Sequence, residues 1–157
     1  MAVLPSVAIQ AGRIDLSAEI AAIETSGAFG AIGGLVTFSG YCRDEGGRLK
    51  ALELEHYPGM AERELTKVAV LAAERWPLLA CRAVHRHGLV LPGEKIVFVG
   101  CASAHRDAAF EAASFLMDFL KTRAPFWKRE HLVDGTVGTW VEAKASDDQA
   151  AARWAAS

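Results

Sequence analysis

The chain has 157 residues, 52% apolar and 23% charged, and its 17 Lys+Arg against 19 Asp+Glu leave a formal charge of −2. Such a length and apolar content predict a single domain spanning 1–157 with a real core, and they exclude the disordered class. The charge balance argues against a wholesale grip on nucleic acid or an anionic membrane, and no stretch approaches the roughly 18–20 uninterrupted apolar residues of a membrane span.

The opening segment has no basic region ahead of an apolar one, so no signal peptide is expected. Val3 to Gln10 reads as a first strand. Asp15 and Ser17 are helix-start residues before an apolar run that ends by Gly27. Gly30 to Cys42 is apolar and β-rich, a long strand bent near Gly33-Gly34, and Arg43 to Arg48 follows as a polar loop expected to be mobile. Leu49 to Tyr57 alternates as a half-buried strand, with Leu52, Leu54 and His56 on one face and Glu53, Glu55 and Tyr57 on the other. Pro58 suits the first turn of a helix over Met60 to Trp76, whose apolar positions are Leu65, Val68, Leu71 and Ala72. Arg82 to Val90 and Glu94 to Ala102 read as strands joined by Leu91-Pro92-Gly93. Asp107 to Thr122 has Phe110, Ala113, Met117 and Leu120 at helical spacing, widened by Phe115, Leu116 and Phe119, until Pro125 stops the helix. Phe126 to Val133 and Thr136 to Glu142 form a last strand pair around Asp134-Gly135, and the tail beyond Ala145 reads as a short or frayed helix. Strands in neighbouring pairs, interrupted by two principal helices, predict an α+β fold with a mainly antiparallel sheet.

The chemistry-bearing residues are unevenly spread. His105-Arg106 opens the long helix, where unpaired backbone N–H groups favour an anion. Lys121 and Arg123 close the same helix, either as plain cations on its C-terminus or as part of a site, and Lys128-Arg129 follow at once. Strand alternation points Lys128 and Arg129 to opposite faces. A helix of this length runs about 24 Å, so its two ends serve one small ligand only in an extended site or one shared between subunits. His85 and His87 share a strand face but lack a third ligand, so no metal is expected. Cys42, Cys81 and Cys101 are odd in number, widely spaced and without CxxC, which fits a reducing cytoplasm and buried, inert thiols. Glu53 and Glu55 read as a solvated strand face rather than an acid–base pair, and Gly30, Gly33 and Gly34 as strand bends without a nucleotide-binding spacing.

Five segments taken together are specific. They are Val36-Thr37-Phe38-Ser39-Gly40-Tyr41-Cys42-Arg43, Leu54-Glu55-His56-Tyr57-Pro58-Gly59-Met60, His85-Arg86-His87-Gly88, Ser103-Ala104-His105-Arg106, and the run from Met117 through Lys121-Thr122-Arg123-Ala124-Pro125-Phe126-Trp127-Lys128-Arg129 to Glu130. In this order and spacing, over about 30–145, the chain resembles the large, catalytic subunit of molybdopterin synthase, the MoaE family. The resemblance implies an α/β-hammerhead type of fold and sulfur transfer without a protein thiol or a cofactor. A small ubiquitin-like partner carries sulfur as a thiocarboxylate on its C-terminal Gly-Gly. Its tail enters a pocket where two transfers convert precursor Z, cyclic pyranopterin monophosphate, into the dithiolene of molybdopterin. The resemblance also implies a homodimer within a heterotetramer, and a pocket that combines residues of both copies. Carried over by residue, Lys121 and Lys128 are catalytic, and Arg43, His105 and Arg106 bind the anion. Tyr41, Cys42, Arg129 and Glu130 fall in the substrate-contact segments, and Phe38 and Met117 are pocket walls. The alternative is a scaffold that keeps the fold and its anion pocket without catalysis.

Overall fold

The computed structural model describes residues 3–27, 30–123, 125–141, 152 and 154. β1 (Ser6–Gln10) precedes α1 (Leu16–Glu24), which starts where the Asp15 carboxylate accepts a hydrogen bond from the Ala18 amide at 3.1 Å. β2 (Gly34–Tyr41) and β3 (Leu49–His56) lead to α2 (Met60–Arg75). β4 (Leu78–Arg86), β5 (Gly88–Val90), β6 (Lys95–Ser103), α3 (Arg106–Arg123) and β7 (Phe126–Leu132) complete the order. Two sheets result, one ordered β1-β4-β6-β2 and one ordered β5-β3-β7. Every pairing is antiparallel except β1 with β4. The architecture is α+β, as the pattern predicted.

β6 explains why the larger sheet is covered on both sides. Strand side chains alternate, so Val97, Val99 and Cys101 enter a core with Leu65, Val68 and Ala72 of α2 and Ala112, Leu116 and Leu120 of α3. Phe98 and Ala102 point the other way, against Ile23 of α1 and Ile14. The smaller sheet packs Leu49, Leu54 and Val90 with Cys42 and Ile96. Among the described residues, no helix is long and apolar enough to cross a membrane.

The structure corrects several readings. The strand expected over Arg82 to Val90 is two strands in different sheets. Gly88, at φ 85°, turns the chain between them, and the buried Arg86 holds the corner by donating to the Ala11 carbonyl at 2.8 Å and to Glu94 at 3.2 Å. Pro58 stands ahead of the helix cap rather than in the first turn: the cap is Gly59, whose amide donates to Glu62 at 2.6 Å. Leu71 and Phe110 are exposed, Phe110 by 60%, because α3 buries the stripe of Ala109, Ala112, Ala113 and Leu116 and Phe110 falls beside it. Thr136 to Glu142 forms no regular strand among its described residues. It contacts β7 by isolated bridges, His131 with Val137 and Lys128 with Val141, which differ in register by one residue. Glu142 and the tail lie outside the described residues, apart from 152 and 154.

Candidate functional site

A cavity of about 520 Å³ opens where the smaller sheet meets the end of β2 and the last turn of α3. β2 and the residues after it bring Tyr41, Cys42, Arg43 and Glu45. α3 brings Lys121, and β7 brings Lys128, Arg129 and Glu130. Pro125 stands between α3 and β7, so the chain turns back into a strand immediately and the two lysines border one space. Leu49, Leu52 and Ile96 are its apolar lining, while Gly138, Thr139 and Val141 close it from the strap after β7. Four cations and two carboxylates border it, and with Arg129 paired to Glu53 the other three cations still outnumber the carboxylates, so the site favours anions. The loop at Arg43 is ordered around Asp44, whose carbonyl accepts from the Gly47 and Leu49 amides and whose carboxylate accepts from Gly46. Arg43 itself is exposed, 3.7 Å from Glu45, which leaves its guanidinium reachable by a ligand.

Arg129 borders the cavity, yet its guanidinium is engaged elsewhere. Its Nε donates to Glu53 Oε1 at 2.7 Å, His131 Nε2 lies 2.8 Å from the same oxygen, and the Trp140 ring lies over the guanidinium at 4.4 Å. Arg129 and His131 thus share a face, and Lys128 takes the other, as strand alternation required. Glu53 is therefore not a solvated strand position: hydrogen bonds from His131 and Arg129 hold its carboxyl below the usual carboxylate range. Glu55 is exposed, as read.

The other expected residues are elsewhere. His105 and Arg106 are exposed at the start of α3, which has 18 residues and so runs about 27 Å, and they do not border the cavity within one chain. Phe38 is 45% exposed on β2 and Met117 packs against the main core; neither borders the cavity. Cys42 does border it, but its thiol is buried. Burial first, then Glu45 and Glu94, pushes its pKa up, so it stays a thiol. Cys81 and Cys101 are buried register partners in β4 and β6. Sequence reasoning missed Leu49, Leu52, Ile96 and the strap residues, for which strand alternation offered only a face.

His85 and His87 do not form a ligand pair. The His85 ring stacks on Phe126 at 3.9 Å, and His87 lies against His56 at 4.6 Å. No cluster of three or more metal-ligating side chains occurs among the described residues. Burial lowers the His85 pKa to about 4, partly opposed by its hydrogen bond to the Arg86 carbonyl at 2.7 Å. The unfolded chain therefore takes up this proton near pH 6.5 and the folded chain only near 4. Stability from this group is complete above pH 6.5 and declines as pH falls toward 4. In His85→Phe, which keeps a ring on Phe126, the stability lost between pH 7 and 4.5 is expected to be about 2 kcal/mol smaller than in the parent. Urea unfolding at the two pH values measures this, and equal losses in both proteins would refute it.

Comparison with known proteins identifies the family. A family model described as "MoaE protein" matches residues 9–123. The molybdopterin synthase catalytic subunit of Mesorhizobium japonicum is 60% identical over 98% of this chain and 95% of its own length. The solved molybdopterin biosynthesis MoaE protein of Burkholderia ambifaria superposes with a TM-score of 0.82 at 45% identity, covering 96% of this chain and 98% of that one. A molybdopterin synthase structure from Staphylococcus aureus gives 0.75 at 27% identity, covering 85% and 94%.

Proposed function

The chain belongs to the MoaE family, and from that membership we propose that it is the catalytic subunit of a molybdopterin synthase. It takes sulfur from the C-terminal thiocarboxylate of a small ubiquitin-like subunit and gives it to precursor Z. The observation that carries the reading is the convergence of Lys121, Lys128 and Arg43 on one cavity with an apolar lining. Both reactants are anions, a thiocarboxylate and a phosphate, and they repel each other unless fixed cations stand between them in a partly dry site. Arg43 offers the phosphate a fork that an ammonium lacks.

In each transfer the thiocarboxylate sulfur gives an electron pair to a side-chain carbon of the pterin, and that carbon's bond to oxygen breaks, the oxygen leaving as water after taking up a proton or as a phosphate oxygen. Water then opens the acyl–sulfur bond and the carrier leaves as a carboxylate, so two charged carriers serve each product. Lys121 passes the proton at the reacting centre and Lys128 steadies developing charge. Tyr41, the Cys42 backbone and Glu130 contact the bound substrates. His105 and Arg106 serve the cavity of the second copy in a homodimer, which removes the distance between the ends of α3. The dimer carries a small subunit at each end, and residues 1–157 act as one domain in the cytoplasm.

A single-turnover assay tests the function. Protein, precursor Z and a thiocarboxylated small subunit are mixed, and the pterin is followed by mass. A gain of two sulfurs is expected, at an unchanged rate in Cys42→Ala, because an unactivated thiol takes no part. Binding of the precursor without any sulfur gain, with a demonstrably charged carrier, would leave the non-catalytic scaffold.

A further inference from the structure

We propose that Glu53 is a positioning residue for the cavity, acting through Arg129 and Trp140 to fix the strap at 137–141 that forms one of its walls. Glu53 lies on β3, one residue from Leu52 in the cavity lining, and its own side chain does not border the cavity. It instead accepts from Arg129 Nε at 2.7 Å and, through the same oxygen, from His131 Nε2 at 2.8 Å. A guanidinium is planar, with donors along its edge and a π-face above and below. With its Nε on Glu53, the Arg129 guanidinium stands over the Trp140 ring, its Cζ 4.4 Å from the ring centroid. Glu53 sets the plane, and the plane seats the indole.

The strap needs that seat. Its backbone reaches β7 at two places: the Gly138 amide donates to the Glu130 carbonyl at 2.8 Å, and Val141 exchanges hydrogen bonds with Lys128 at 2.7 and 3.0 Å. The bridges at Val137 and Val141 are out of register by one residue, so the ladder is interrupted between them. Trp140 occupies that interruption. Its neighbours Thr139 and Val141 both line the cavity, next to Lys128 and Glu130. The clamp therefore turns a polar contact on one face of the smaller sheet into the shape of the site on the other. Arg129 serves here by geometry rather than by its charge alone.

Amide hydrogen exchange reads this directly. In Glu53→Ala the Gly138 and Val141 amides are expected to exchange about tenfold faster, while those of Val97 and Val99 in β6 stay as slow as in the parent. Trp140→Ala produces the same acceleration, and the double variant goes no further, because Arg129 links the two side chains. Arg129→Lys, which keeps the charge and loses the fork, behaves like Glu53→Ala, and Glu53→Gln, which keeps an acceptor oxygen, restores slow exchange. Unchanged exchange at Gly138 and Val141 in Glu53→Ala would overturn the proposal. So would additive effects in the double variant, or loosening spread over all of β7. A second arm rests on the sulfur-transfer reading: Glu53→Ala raises the KM for precursor Z by more than it lowers kcat, and Glu53→Gln rescues it. The exchange arm needs no substrate, so its failure and a failure of the functional reading are told apart.

Discussion

Lys121→Ala is expected to slow sulfur transfer by about 10²–10³-fold, the loss typical when one fixed charge-stabilising group is removed from an active site. The fold should be untouched. Lys121 is exposed on the last turn of α3, beyond the apolar stripe of that helix, and exposed positions of this kind change stability by about 0.5 kcal/mol or less. Its cation already sits favourably on a helix C-terminus, so the substitution removes about 0.3–1 kcal/mol there, too little to unfold the domain. The lost rate therefore belongs to chemistry. Lys121→Arg separates the two contributions of the lysine. The guanidinium keeps the positive charge beside the carrier's tail, but it does not release a proton in a protein. Retained precursor affinity with a rate near that of Lys121→Ala identifies the proton transfer as essential; recovery to near the parent rate identifies charge alone. Single-turnover rates by mass, with circular dichroism and gel filtration as folding controls, decide among these. Full activity in Lys121→Ala would remove the lysine from the mechanism.

The sequence made the cationic half of this site legible for a physical reason. Lys121 and Lys128 are separated only by a helix stop and the start of a strand, so local rules suffice to bring them to one place. Arg43 depended on the family likeness, since nothing local says where a loop after β2 will lie. The strap and the Glu53 clamp were out of reach. Alternation assigns Glu53 to a face but does not say that Arg129 and His131 lie opposite on β7, and the one-residue slip at 137–141 is set by contacts far along the chain. Phe110 misled because helical periodicity gives the spacing of a stripe more surely than its centre. Gly88 misled because a strand-like run from Arg82 to Val90 does not reveal that the backbone within it has turned left-handed.

Gly33 shows how a backbone position that reads as a simple bend controls the placement of His105 and Arg106 at the start of α3. A Cβ placed there would stand 1.9 Å from the Ala104 carbonyl oxygen and 2.9 Å from its carbon, both of them backbone atoms with no rotamer to yield. The approach is built in: the Gly33 amide donates to the Ser103 carbonyl at 2.9 Å, and the Ser103 hydroxyl donates in turn to the His105 carbonyl. The β6–α3 junction therefore rests directly on the chain entering β2. Gly33→Ala is expected to cost about 3 kcal/mol, the upper part of the overpacking range. For a chain of this size that lowers the melting temperature by about 10 °C. Gly12→Ala, where the same Cβ meets nothing within 4 Å, is the control and should melt with the parent. Because the clash pushes on Ala104, the residues displaced in any folded Gly33→Ala protein are His105 and Arg106, about 22 Å from Lys121 along α3. If those two residues serve the second copy's cavity, the variant loses precursor affinity at temperatures where it is still folded, while transfer at saturating precursor persists. An unshifted melting temperature would mean that the junction yields without cost, and an unshifted precursor affinity in the folded variant would mean that the cavity is complete without His105 and Arg106.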